Sequence, residues 1–431
     1  MYRKIMGFLE AWKESEHRKP LILQGARQVG KTYSILEFGR THYENVAYFN
    51  FETNPKLNKT FEENISPDYL IPILSHIAGQ TIVTEKTLIV FDEVQLCERA
   101  LTSLKYFCEN APDYHIIVAG SLLGVAVNRA KFSFPVGKVD MKTLYPMDME
   151  EFMLALGEDD LVEQIKKCFQ TDTPLPSALH DAAMQLYRQY LVVGGMPECV
   201  MQFAETKDYI LVRHTQDTIL ASYLNDMSKY NNLNEIKKTR LAYDNITVQL
   251  SKKNTRFQYK LIKKGGRASE FENAIEWLSL SGIVSQVYKV EQIKKPLENY
   301  RDIDAFKIYV SDLGLLCAQK DLAANDILYM VEEINDFKGG MAENYVNVQL
   351  SISGYHTYYW ESKRGAGIDF IIQRDGQLIP IEVKSADNTR AKSLKVYMDT
   401  YKPAYAIKLS AKNFGFEDNK KTVPLYAAFC I

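Results

Sequence analysis

The chain has 431 residues, of which 46% are hydrophobic and 25% charged, with a net charge of −2 at pH 7. That is the make-up of a soluble globular protein, too long for one ordinary core and suggesting about three domains. The near-balanced charge names no partner, and no run of about eighteen apolar residues exists to span a membrane. The opening segment has no uninterrupted apolar stretch of the signal-peptide kind, so a cytoplasmic location is expected. Six cysteines, at 97, 108, 168, 199, 317 and 430, form no C-x-x-C pair and no His–Cys cluster, which argues against a zinc site or a disulfide framework. They read as buried, reduced thiols. The seven histidines are scattered, and none is assigned a role.

In chain order, Ile5, Phe8, Leu9 and Trp12 mark one face of a short amphipathic helix, and Pro20 separates it from the first strand. The apolar run Leu21-Ile22-Leu23 leads into Gly25-Ala26-Arg27-Gln28-Val29-Gly30-Lys31-Thr32, and Tyr33 to Gly39 reads as the helix that follows. The octet is G-x-x-x-x-G-K-T between a strand and a helix, the setting of a phosphate-binding loop. Its glycines let the backbone wrap a phosphate closely, and loop N–H groups with the helix dipole supply positive character. Lys31 would bridge the β- and γ-phosphates of ATP, and the Thr32 hydroxyl would bind Mg²⁺.

A second strand is expected over Val46–Phe51 and a helix over Pro67–Ala78. Thr87-Leu88-Ile89-Val90-Phe91-Asp92-Glu93 is a continuous apolar run ending in two carboxylates, as suits a strand buried on both faces of a parallel sheet. Acids at its carboxyl end stand where open α/β sheets bind ligands. Asp92 would hold Mg²⁺ through water, and Glu93 would activate the attacking water. Tyr114–Ala119 is a further strand ending at Gly120-Ser121, where Ser121 either senses the γ-phosphate or caps the next helix. One more strand is expected over Gly137–Leu144. The order predicts a helix-covered parallel sheet.

Residues 148–230 read mainly as helices, over Met149–Leu156, Leu161–Phe169, Ser177–Leu191 and Asp208–Met227. Gly194-Gly195-Met196-Pro197 is a turn between helices, read as loop punctuation in preference to a hinge or nucleotide lid. An arginine acting in trans is expected for fast hydrolysis, with Arg129 and Arg213 as candidates that nothing in the sequence selects between. Residues 229–295 carry fourteen Lys and Arg against six Asp and Glu, and from Lys252 to Arg267 seven bases meet no acid. Helices over Asn234–Leu250, Phe257–Lys263 and Ala268–Leu280, then the alternating Ile283–Tyr288, make a winged-helix pattern. Lys252, Lys253, Arg256, Lys263, Lys264 and Arg267 are candidate contacts to DNA phosphates, or a solvated face of a protein-contact module.

The last third carries a separate chemistry. Gly367–Ile372 and Leu378–Lys384 are strands joined by Asp375-Gly376, a strong hairpin signal. The hairpin can set Asp369 beside Glu382, and Glu382 and Lys384, two apart, share a face. Met341–Val346 opens a helix able to bring Glu343 alongside. A helix over Thr389–Asp399 and a strand over Ala404–Leu409 follow. Carboxylates of Glu343, Asp369 and Glu382 would hold Mg²⁺, with Lys384 steadying charge and the water, as in metal-dependent phosphodiester hydrolysis. The plain alternative is a surface salt-bridge group.

With these motifs in view, the chain resembles, over nearly its whole length, the bacterial and archaeal AAA-type ATPases that carry a C-terminal domain of unknown function. The resemblance rests on the phosphate loop, Phe91-Asp92-Glu93-Val94-Gln95, Ala119-Gly120-Ser121, Leu144-Tyr145-Pro146-Met147, Gly194-Gly195-Met196-Pro197 and Ile308–Leu316. The end of the C-terminal domain looks like the PD-(D/E)xK nuclease fold, at Glu343, Asp369, Glu382 and Lys384. The implied layout is α/β: a P-loop ATPase core at 1–147, a helical lid at 148–230, a winged-helix-like segment at 231–300 and a nuclease-like domain at 301–431. The implied function is a Mg²⁺-dependent ATPase coupled to a DNA-associated nuclease-like domain. The alternative is a nucleotide-dependent switch whose nuclease-like domain is inactive and binds a protein partner. Neither a sensor-2 arginine nor an arginine finger is identifiable, which leaves slow, switch-like hydrolysis open.

Overall fold

Short apolar runs that end in polar residues build the first part of the chain. In the computed structural model, which describes all residues except 121–133, 230–232, 251–255 and 386–391, they form one parallel sheet. The elements are α1 (Ile5–Lys13), β1 (Leu21–Gln24), α2 (Lys31–His42), β2 (Asn45–Asn50), α3 (Lys56–Glu63), α4 (Pro67–Ala78), β3 (Thr87–Asp92), α5 (Glu98–Asn110), β4 (His115–Ala119) and β5 (Asp140–Thr143). The strand order is β2-β3-β4-β1-β5, with every neighbouring pair parallel. Every residue of β3 and β4 is buried, as their unbroken apolar runs require. Phe51 and Phe61 each pack edge to face on Phe91, and the three centroids lie 5.5–5.8 Å apart. Parallel pairing puts the carboxyl ends of β1, β3 and β4 on one edge, so Gly25 and Asp92 emerge on the same edge with the end of β4 between them. These elements, with Leu280–Gly282, form one compact unit from Arg3 to Tyr145.

The remaining residues form a second unit. Its helices are α6 (Met149–Ala155), α7 (Asp159–Thr171), α8 (Ser177–Val193), α9 (Pro197–Thr206), α10 (Tyr209–Lys229), α11 (Leu233–Leu250), α12 (Tyr259–Ile262) and α13 (Ala268–Leu280). Then come β6 (Val284–Val290), β7 (Arg301–Val310), α14 (Leu313–Gln319), α15 (Ala324–Leu328), α16 (Asn335–Ile352), β8 (Tyr358–Glu361), β9 (Gly367–Arg374) and β10 (Gln377–Val383). The chain closes with α17 (Lys392–Tyr401), β11 (Ala406–Ser410), β12 (Gly415–Glu417) and β13 (Lys420–Pro424). The strands make one mixed sheet in the order β12-β13-β11-β10-β9-β8-β6-β7. The β6–β7 hairpin that follows α13 is thus part of this sheet, joined to it by parallel pairing of β6 with β8. Asp375 and Gly376, at φ of +47° and +73°, close the β9–β10 hairpin in the left-handed conformation that an Asp-Gly turn permits. Met341 lies within α16 rather than at its start, since that helix begins at Asn335. The six cysteines form no disulfide; Cys97, Cys199 and Cys317 are buried as expected, whereas Cys108, Cys168 and Cys430 are only half-buried. No helix among the described residues is long and apolar enough to cross a membrane.

The Gly194–Pro197 turn is a packed joint. Asp312, 3% exposed, accepts the N–H of Gly195 at 2.7 Å and caps α14 through the N–H of Leu315 at 2.8 Å. Burial pushes the Asp312 carboxyl up to about 6, against the pull of those backbone donors. The Met147 N–H donates to Gly195 O, and the Tyr190 hydroxyl donates to Met147 O at 2.7 Å. A Cβ on Gly195 would lie 2.0 Å from Met147 O. Gly195→Ala is therefore expected to destabilise the fold by about 3 kcal/mol or more, since both atoms belong to pinned backbone. Chemical denaturation reads this as a lower midpoint, and an unchanged midpoint would mean the joint relaxes freely.

Candidate functional site

The phosphate loop is held by its own backbone and by two buried cations, Arg3 and Lys31. Gly25 leaves β1 at φ +147°, where a Cβ would sit 2.1 Å from Leu144 O as the chain leaves β5. Gln28 adopts φ +64°, and Gly30 starts α2 at φ +91°. Val29 is fully buried and Ala26 nearly so, anchoring the middle of the loop. The guanidinium of Arg3 donates to Val29 O at 3.0 Å and to Tyr145 O at 2.8 Å, fastening the loop to the end of the β5 segment. Nothing in the motif points to Arg3. Its only sequence signal is a basic residue just ahead of the first amphipathic helix.

Lys31 is 8% exposed and donates to the carbonyls of Gly25 at 2.9 Å and Ala26 at 2.7 Å. Burial lowers its ammonium to about 8, against the raising influence of Glu93 and Asp92. Thr32 Oγ1 donates to Asp92 Oδ2 at 2.9 Å. The sheet thus brings together the two residues expected around Mg²⁺. Asp92 is also held by the Tyr48 hydroxyl at 2.7 Å and by the Glu93 N–H at 3.0 Å. Burial, then donation to Asp92, pushes Tyr48 up to about 12. Glu93 takes the left-handed φ of +51°, turning its side chain off the strand axis, and Gln95 donates to its Oε2. Sequence reasoning missed Tyr48 and gave Gln95 no role, although Gln95 sits inside the Asp92–Gln95 motif. Ser121 and Arg129 lie outside the described residues. Arg213 pairs with Asp321 at 3.5 Å and donates to Leu322 O within its own unit.

In the second unit, β7, β9, β10 and α16 bring Glu343, Asp369, Glu382 and Lys384 into one cluster, together with two residues that sequence reasoning missed. Lys307, 4% exposed, stands 3.2 Å from Glu343 Oε2 and 3.8 Å from Asp369 Oδ1. The Tyr309 hydroxyl donates to Glu343 Oε2 at 3.0 Å. Asp369 Oδ2 accepts the Val383 N–H at 2.8 Å. Burial and then the Glu343 charge push the Asp369 carboxyl up to about 7, against Lys307. Burial pulls the Lys307 ammonium down, but the charges of Glu343 and Asp369 outweigh it and hold the group above its usual value. Lys384 pairs with Glu382 Oε1 at 3.0 Å, while Glu382 Oε2 is buried with no hydrogen-bond partner. Among the described residues, no three His, Cys, Asp or Glu side chains are grouped so as to hold a metal. Alternation along β7 would have flagged Lys307 and Tyr309 as sharing a face, but their strand is far in sequence from the hairpin.

In the basic segment, Arg256 donates to Asp304 O at 3.0 Å and Lys263 pairs with Glu270 at 3.0 Å. Lys264 and Arg267 are exposed, and Lys252 and Lys253 lie outside the described residues.

Residues 17–153 match the AAA domain family, residues 184–326 match a domain of unknown function (DUF8612), and residues 338–428 match another (DUF4143). The N-terminal domain is an AAA-type P-loop ATPase domain. No curated protein matches the chain. Similar solved structures include the Walker-type ATPase PABY2304 of Pyrococcus abyssi, 14% identical over 74% of this chain and 95% of that one, with a TM-score of 0.45. The Aeropyrum pernix ORC2 protein is 12% identical over 76% of this chain and 95% of that one, with a TM-score of 0.38. The Thermotoga maritima RuvB Holliday junction branch migration motor is 14% identical over 65% of this chain and 87% of that one, with a TM-score of 0.29.

The Lys31 environment has a pH consequence. Below about 8 the ammonium is already charged, so an anion binds without proton uptake. Above that value binding must first reprotonate the lysine, and ATP affinity is expected to fall by about tenfold per pH unit. Fluorescence titration with a labelled ATP analogue between pH 7 and 9.5 reads this, and a flat profile would show that binding takes up no proton at Lys31 in this range.

Proposed function

We propose that the chain is a Mg²⁺-dependent, ATP-hydrolysing nucleotide switch whose C-terminal domain is PD-(D/E)xK-like in layout and serves as a binding surface. The observation that carries the first half is the meeting of Thr32 and Asp92 beside the buried Lys31. Residues 25–32 would wrap the phosphates with backbone N–H groups, and Lys31 would leave the Gly25 and Ala26 carbonyls for the β- and γ-oxygens. Thr32 and Asp92 offer an all-oxygen pair of the kind Mg²⁺ prefers, and bound there the ion would neutralise phosphate charge. Glu93, oriented by Gln95, would take a proton from the attacking water. Ser121 is the candidate for sensing the γ-phosphate.

The charge pattern of the second cluster favours binding over cutting, because the Lys307 ammonium already stands against both Glu343 and Asp369. A nuclease is the second reading. It is favoured by the unpartnered Glu382 Oε2 beside Lys384, an open oxygen next to a cation able to steady a phosphate. DNA or a protein could be the partner of Arg256, Lys263, Lys264 and Arg267.

Lys31→Ala is expected to abolish ATP binding, and Glu93→Gln to keep binding while hydrolysis falls by about 10²–10⁴-fold. Phosphate release beside equilibrium nucleotide binding reads both, and unimpaired hydrolysis by Glu93→Gln would remove the glutamate from its role. Supercoiled plasmid with Mg²⁺, with and without ATP, is expected to stay intact. Cleavage by the native chain that Asp369→Ala abolishes would establish the nuclease reading instead.

A further inference from the structure

The C-terminal cluster deepens the switch reading, on which the following rests. Three carboxylates in a PD-(D/E)xK-like layout would ordinarily gather a divalent cation. Here the space between two of them is taken by a side chain. Lys307 comes from β7, at the opposite end of the sheet order from β11–β13, and passes over the ring of Tyr359, 5.2 Å from its centroid. Its ammonium then reaches Glu343 and Asp369, at 3.2 and 3.8 Å. Tyr309 takes a further position on the same Glu343 oxygen. The residues present do not fit a metal.

We propose that Lys307 is a tethered counter-ion standing where a divalent cation would stand, and that this domain holds no divalent metal. The argument is one of charge and space. A divalent ion on those oxygens would bring two positive charges to within a few ångströms of the ammonium, in surroundings with little water to screen them. The lysine has no easy exit, because its side chain is 5% exposed and lies against an aromatic face. Removing it from its carboxylates would strand a buried charge. Mg²⁺ asks for near-octahedral oxygen coordination. With Lys307 in place, Glu343 Oε2 and Asp369 Oδ1 both face its ammonium, which leaves the buried, unpartnered Glu382 Oε2 without two neighbouring carboxylate oxygens to complete a coordination shell. A covalently attached cation differs from a metal in one useful respect. It cannot supply hydroxide, yet it holds the carboxylates in place under all metal conditions, leaving the domain a constant surface.

The experiment is Mn²⁺ binding by the full chain without nucleotide, read as loss of the free-ion electron paramagnetic resonance signal. The native chain and Asp369→Asn are expected to bind the same amount of Mn²⁺ per chain. Lys307→Met is expected to gain one Mn²⁺ per chain, lost again on adding Asp369→Asn. Lys307→Arg, which keeps the charge, is expected to gain none. A native chain that binds one Mn²⁺ released by Asp369→Asn would overturn the tethered cation while leaving the PD-(D/E)xK-like layout intact. If neither the native chain nor a folded Lys307→Met binds Mn²⁺, the layout itself fails and the cluster is a structural ion-pair network. Should Lys307→Met not fold, the native chain against Asp369→Asn still decides whether a metal sits there.

Discussion

A charge removed from water must find a partner, and much of this protein is arranged around that requirement. Asp92, Asp312 and Glu382 each stand at or just beyond the end of a strand, and all three are buried. Leaving such a group unpaired costs more than ordinary packing returns. The partners then dictate the loops. Asp92 collects Thr32, Tyr48 and its own neighbour's N–H, which fixes the start of α2 against the end of β3. Asp312 collects the N–H groups of Gly195 and Leu315, which fixes two distant turns to one another. The glycines at those turns follow from the same geometry, because a carbonyl or carboxylate already fills the space a Cβ would need.

This explains why some features are legible in the sequence. A phosphate loop, a buried strand and an Asp-Gly hairpin are local patterns, and each specifies its conformation within about ten residues. The helices Pro67–Ala78 and Ala268–Leu280 match their expected bounds for the same reason, one starting with Pro and ended by Gly79, the other ended near Gly282. The Gly194–Pro197 turn reads as punctuation, and the structure gives it a further duty through Asp312 that no local pattern could reveal. Helix α3 is silent in the sequence because Leu57 and Phe61 are its only apolar positions and tertiary packing supplies most of its stability.

What stays hidden is non-local. Arg3 reaches Tyr145, Tyr48 reaches Asp92, and Lys307 reaches Asp369, across 142, 44 and 62 residues. The eight-stranded sheet is the larger case. Its β6–β7 hairpin has the sequence pattern of a wing on a separate module, since strand pairing to β8 leaves no mark on the residues between them. Side chains that act only as partners for a buried charge carry no motif of their own. They are visible once the strand order is known.

The two lysines at the centres of the two sites separate the functions. Lys31 is held by neutral carbonyls, which bind an ammonium well but lose to a phosphate, so the group is poised for an anion. Lys307 is held by two carboxylates, Glu343 and Asp369, of opposite charge to its own. Both lysines are buried, and burial alone would not tell them apart. The charge of the acceptor does, and on the proposed reading it marks one site as an exchangeable seat for nucleotide and the other as a settled ion pair.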